Sequence, residues 1–206
     1  IGEPTVMKQQ SYVLSTPHPS YYPLYIGNGY TWNSDTIRLA GRKRYPVRNH
    51  IMKSTIGTGD MQSMFCPLDK GAEFTAKVRF HNLKKVELGA LLSANTFHGK
   101  NNECCHSVGM SKPYGFGKVR IELIGFNADD CLKVFEEEMN KFSNNAWKSQ
   151  IEELFAMAKG IPEDKESDFT YMKMSTDSSK NEFKAGKEEY ANGHQLGLFT
   201  QILEGN

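Results

Sequence analysis

The chain has 206 residues, 38% of them hydrophobic and 24% charged, which is enough for one sizeable core without help from disulfides or metals. No apolar run approaches the roughly 20 residues of a bilayer-spanning helix, so no membrane partner is expected. The net charge of +1 conceals a split: residues 1–126 carry 16 Lys and Arg against 8 Asp and Glu, and residues 127–206 carry 9 against 16.

All six arginines, Arg38, Arg42, Arg44, Arg48, Arg79 and Arg120, fall in the basic part. Arginine suits bidentate phosphate contact and base stacking, so this part fits an anionic polymer, leaving the acidic part for solvent or a protein partner. The sequence opens Ile1-Gly-Glu-Pro, with neither an initiator Met nor a signal-peptide layout, and reads as a processed or trimmed piece of something longer.

Taken in chain order, residues 1–34 are rich in Pro, Tyr and Ser and read as an extended arm, or the remnant of a longer N-terminal part. Thr36 to Val47 reads as a strand or hairpin bearing the basic run Arg38, Arg42, Lys43, Arg44, with Tyr45 beside it as a stacking ring. Residues 52–70 read as loop. Glu73 to His81 alternates Phe74, Ala76, Val78 and Phe80 with polar neighbours, the period of a half-buried strand. A helix is expected over Lys84 to Phe97, with Leu88, Leu91 and Leu92 inward, and a second strand over Lys118 to Ile124, with Val119, Ile121 and Leu123 inward.

Two more helices follow. Ala128 to Phe142 has an apolar stripe of Ala128, Cys131, Leu132, Phe135, Met139 and Phe142, a cap at Asn127, and Asp129 and Asp130 suited to its N-terminal dipole. Ala146 to Lys159 places Trp147, Ile151, Leu154, Phe155 and Ala158 on one side and stops at Gly160. A short strand is expected at Phe169 to Met174 and an amphipathic stretch from Asn181 to Tyr190. The order predicts an α+β fold: a ferredoxin-like or RRM-like antiparallel sheet with helices on one face over residues 35–126, then a helical, acidic C-terminal part over 127–206.

The segment between the first helix and the second strand, His106-Ser-Val-Gly-Met-Ser-Lys-Pro-Tyr-Gly-Phe-Gly-Lys118, gathers three glycines, a proline, two lysines and two aromatics. Glycines let backbone amides approach a phosphate chain, with cations and rings on either side. Gly109, Lys112, Tyr114, Gly115, Phe116, Gly117 and Lys118 are therefore candidate contacts to RNA or another polyphosphate, and the basic run at 38–44 a second track for phosphates.

Gly71-Ala-Glu-Phe-Thr-Ala-Lys-Val-Arg-Phe-His-Asn-Leu83, Val86-Glu-Leu-Gly-Ala-Leu-Leu92 and the glycine-rich segment through Ile121 together resemble the RAMP superfamily of CRISPR-associated proteins. More narrowly, they are similar to RAMP proteins that form the guide-RNA-binding backbone of type III interference complexes. Weaker likeness extends to Arg38-Leu-Ala-Gly-Arg-Lys-Arg-Tyr45, to Phe169-Thr-Tyr-Met-Lys-Met174 and to Asn181-Glu-Phe183. The resemblance implies a glycine-rich loop, Gly109, Lys112 and Gly115 to Lys118, lying against the backbone of a guide RNA. It also implies target RNA and other effector subunits as partners. Members of this subgroup are usually longer, with a fuller N-terminal half. Tyr114 as a stacking ring rests on physical grounds alone.

Four cysteines, two of them the adjacent Cys104 and Cys105, do not make a secreted disulfide framework, and a reducing cytoplasm is expected. Cys66, Cys104, Cys105 and His106 are soft zinc donors by type, but lack a Cys-x-x-Cys pair; free thiols are the expectation, with no cofactor. His106 or His81 beside Lys112 is the alternative for metal-independent RNA cleavage, and Asp35 or Asp60 for a metal-dependent cut. Neither sits in a motif that names a catalytic residue. A structural, protein-binding module working through the acidic helices is the remaining alternative.

Overall fold

The computed structural model describes residues 5–12, 44–53, 63–125, 127–169, 176–182, 184–185, 188 and 198–205. Among them the chain is mixed α and β. The sheets are small: β1 (Gln10–Tyr12) pairs antiparallel with β2 (Ser63–Phe65), Ser11 opposite Met64, and β3 (His106–Ser107) pairs antiparallel with β4 (Lys118–Val119).

The three predicted long helices form where their caps and periods place them. Helix α1 (Lys85–Thr96) begins where the Glu87 carboxylate accepts from the Lys84 amide at 2.7 Å and ends at Phe97 in the left-handed conformation. In α2 (Asp129–Phe142), the Asn127 Oδ1 accepts from the Asp129 amide at 2.9 Å, with two aspartates at the positive end of the helix dipole. Helix α3 (Ala146–Lys159) stops at Gly160. A short α4 (Phe199–Glu204), which the sequence pattern does not announce, closes the described C-terminal part. Among the described residues no helix is long and apolar enough to cross a membrane.

Helix α3 is the hub, because its side chains serve two apolar clusters. Ile151, Phe155 and Ala158 pack with Phe97 and Cys104, whereas Met157 packs with Ile161, Phe169 and Phe199. A buried carboxylate docks α4 on this hub: Glu153 accepts from the Phe199 amide at 2.6 Å and from the amide and hydroxyl of Thr200, each at 3.0 Å. The Val47 segment runs alongside the end of α3. Its amide donates to Met157 and its carbonyl accepts from Ile161, both at 2.8 Å.

The structure corrects three sequence expectations. Glu73 to His81 is neither strand nor helix, and every residue in it is exposed, including Phe74 at 73%. A strand's alternation records only which faces it can offer; the ladder must come from a neighbouring edge, and none of the described residues supplies one. The second expected strand survives only as Lys118–Val119, leaving Ile124 at 86% exposure. Phe142, assigned to the inward stripe of α2, lies at its last turn beyond the reach of α1 and is 88% exposed. Residues 13–43, Thr170 to Met174 and most of Asn181 to Tyr190 lie outside the described residues, and with them the strands expected there and most of the arm; the arm's Gln10–Tyr12 is β1, and the loop expected over residues 52–70 contains its partner β2.

Candidate nucleic-acid interface

The glycine-rich segment folds into a hairpin with a rigid base and an open tip. At the base, His106 faces Val119, Ser107 faces Lys118, and the Val108 amide donates to the Gly117 carbonyl at 2.8 Å. Gly117 has φ +74°, and any Cβ there would collide with the Val108 carbonyl oxygen, so only glycine closes this turn. Lys112–Tyr114 makes a single 3₁₀ turn between left-handed Ser111 and Gly115. The Ser111 carbonyl accepts from the amides of Tyr114 and Phe116.

The tip differs. Val108, Gly109 and Met110 are exposed, and a Cβ at Gly109 would meet nothing within 4 Å. Among the described residues, nothing accepts from the Gly109 and Met110 amides. Lys112 folds back so that its ammonium donates to the Gly109 carbonyl at 2.9 Å, and Lys118 reaches Asn49 Oδ1 at 3.0 Å. Arg120, just past β4, donates to the Asn102 carbonyl at 3.2 Å. The hairpin thus carries two backbone donors at its tip and three cations, half-buried Lys112 and exposed Lys118 and Arg120, which suits a phosphate chain better than a neutral ligand.

The two aromatics of the loop do not belong to that face. Tyr114 and Phe116 are 4% and 7% exposed and pack with Met52 and Phe65, Phe65 meeting Phe116 edge to face at 5.3 Å between centroids. Their assignment as rings that stack on RNA is therefore corrected. The 3₁₀ turn places both rings against Met52 and Phe65, and they fasten the loop to the body. Gly115 completes the seat, because a Cβ there would strike the His50 carbonyl.

Sequence reasoning missed the residue that holds this loop. Arg48 is 2% exposed. Its Nε donates to the Pro113 carbonyl at 3.1 Å, one terminal nitrogen pairs with Glu166, and the other donates to the Phe169 carbonyl at 2.7 Å. One guanidinium fork thereby ties the glycine-rich loop to the segment after α3. No short-range signal marks it, because its partners Pro113, Glu166 and Phe169 all lie far along the chain.

The remaining predicted contacts divide. Arg38, Arg42 and Lys43 lie outside the described residues. Tyr45 is half-buried, and Arg44 lines a cavity between α1 and α3. His106 donates from Nε2 to the Asn95 carbonyl at 2.8 Å and lies over Phe97 with ring centroids 4.3 Å apart. That nitrogen is committed to packing, which disfavours His106 as the base of a cleavage reaction. His81 is exposed, and Asp35 and Asp60 lie outside the described residues.

Cys104, Cys105 and Cys131 are buried and Cys66 is exposed; the described residues hold no cluster of three or more His, Cys, Asp or Glu able to bind a metal. Burial pushes the Cys104 thiol up, only partly offset by the charge of Lys159, whose ammonium is held by Glu103 at 2.8 Å. A thiol reagent such as 5,5′-dithiobis(2-nitrobenzoate) should therefore titrate one fast thiol, Cys66, in the native protein and all four in urea. Three or more fast thiols would mean that the Phe97–Cys104–Phe155 packing does not form.

Compared with protein-family models, with curated proteins and with solved structures, the chain matches none.

Proposed function

We propose that this chain is an RNA-binding RAMP subunit that holds a CRISPR guide RNA by its sugar-phosphate backbone within a type III-like interference complex. The observation that carries this reading is the open hairpin tip, where the amides of Gly109 and Met110 stand beside Lys112, with Lys118 at the hairpin base, on a loop braced by Arg48. Backbone and ammonium donors read phosphate and not base, which is the chemistry a subunit needs to grip guides of any sequence. The resemblance over residues 71–126 supports the same reading, as does the basic balance of that part of the chain. It extends to the cytoplasm as the compartment, to target RNA and other effector subunits as partners, and to a ferredoxin-like fold for the α+β chain.

Fluorescence anisotropy with a labelled single-stranded RNA tests it. The wild type should bind at low salt regardless of sequence. The double substitution Lys112→Glu and Lys118→Glu should weaken binding at least tenfold. Losing two phosphate contacts should also make the slope of log K against log salt shallower by about 1.4, at about 0.7 per phosphate. A wild type indifferent to RNA at low salt overturns the proposal. RNA cleavage abolished by His106→Ala would replace it with an endoribonuclease.

A further inference from the structure

Between Gly71 at φ +91° and Asn82 at φ +53°, both left-handed, the chain runs from Ala72 to His81 without a turn or bend. Both ends of this stretch are fixed: the Asp69 amide donates to the Thr5 carbonyl at 2.9 Å, and α1 opens at Lys85. Among the described residues, no backbone group of Glu73 to His81 makes a hydrogen bond, and Glu73, Lys77 and Arg79 make no ion pair. Phe74, Val78 and Phe80 are each more than half exposed, and alternation puts them on one face with Ala76. Unpaired donors and acceptors beside an apolar face are a template for a strand from another chain.

The order of the charges says which chain. Antiparallel pairing about a two-fold axis at Ala76 sets Phe74 against Val78 and Ala72 against Phe80, so the apolar face stays whole. It also sets Glu73 against Arg79, twice in each pair of copies. An axis at Lys77 would put that lysine against its own copy, and an axis at Thr75 would put Phe80 against Lys70. Parallel pairing in register would set every charge against its like.

We propose that this segment is a homodimer contact, in which Ala72 to Phe80 pairs antiparallel with the same residues of a second copy about an axis at Ala76. Such an interface is isologous and closes on itself. The inference goes beyond the RNA reading and uses none of the hairpin residues.

Sedimentation velocity of the RNA-free protein over a wide range of concentration tests it. The wild type should pass from monomer to dimer as concentration rises. Neighbouring amides of an extended chain point to opposite edges, so the pair Thr75→Pro and Ala76→Pro removes a ladder donor whichever edge is used. That variant should stay monomeric with an unchanged thermal midpoint, because the segment makes no hydrogen bond within its own chain. Glu73→Arg and Arg79→Glu should each weaken the dimer about tenfold, and the two together in one chain should restore it. A wild type that is monomeric throughout overturns the proposal, as does a dimer that survives the two prolines or a proline variant with a lowered midpoint. Failure of the double exchange to restore association overturns the pairing about Ala76. Since each readout is the mass or melting of RNA-free protein, none of these results bears on RNA binding.

Discussion

Arg48→Met should lower the unfolding free energy by about 3–5 kcal/mol, the cost of removing one partner of a buried ion pair. The guanidinium is almost fully enclosed and donates from each of its three nitrogens, to Pro113, Glu166 and Phe169. Methionine fills similar volume but leaves the two carbonyls unpaired and the Glu166 carboxylate with only His50 nearby, whose Nε2 stands 3.6 Å from Oε1. Chemical denaturation followed by circular dichroism measures the loss. Pairing the change with Glu166→Leu should recover a large part of it, since replacing a whole buried pair is far cheaper than orphaning one charge. A single variant as stable as the wild type would mean that Arg48 is solvated in solution. RNA affinity should fall with this variant too, although Arg48 touches no solvent, because the Pro113 carbonyl anchors the loop that bears Lys112.

Gly89→Ala should destabilise the protein by about 2 kcal/mol, against the direction that helix propensity dictates. In an isolated helix the change is worth about 1 kcal/mol in favour of alanine. Here α1 crosses α2 so closely that the added methyl would collide with the Cys131 carbonyl and lie 2.7 Å from Phe135 Cβ. Backbone cannot rotate aside as a side chain can, so the helices must separate, and overpacking of this kind costs up to about 3 kcal/mol, from which the propensity gain of about 1 kcal/mol subtracts. Thermal unfolding of the variant measures the sign: a raised midpoint would show that α1 and α2 do not pack through Gly89.

The helices were legible because their instructions are local. Asn127 before two aspartates, the 3.6-residue stripe of α3 and Gly160 after Lys159 all act within a turn or two of the chain. The short α4 escaped notice because six residues carry less than two turns of pattern, and its start is capped by Glu153, a residue of α3. The hairpin too was visible as a cluster of glycines and lysines, and Gly117 sits where only glycine fits. Its aromatic pair was misread because composition does not say which way a ring points. Met52 and Phe65 arrive from distant parts of the chain to receive Tyr114 and Phe116.

By itself, then, the sequence determined the three long helices, the place of the glycine-rich turn and the basic character of the part that bears it, since each follows from residues close together in the chain. Only the tertiary structure decided that Glu73 to His81 stands exposed without a ladder, that Arg48 is a buried brace and that Arg44 joins His106 and Trp147 around one cavity. Strand pairing, charge burial and cavity walls each need partners from far along the chain, and no short-range pattern specifies which partner arrives.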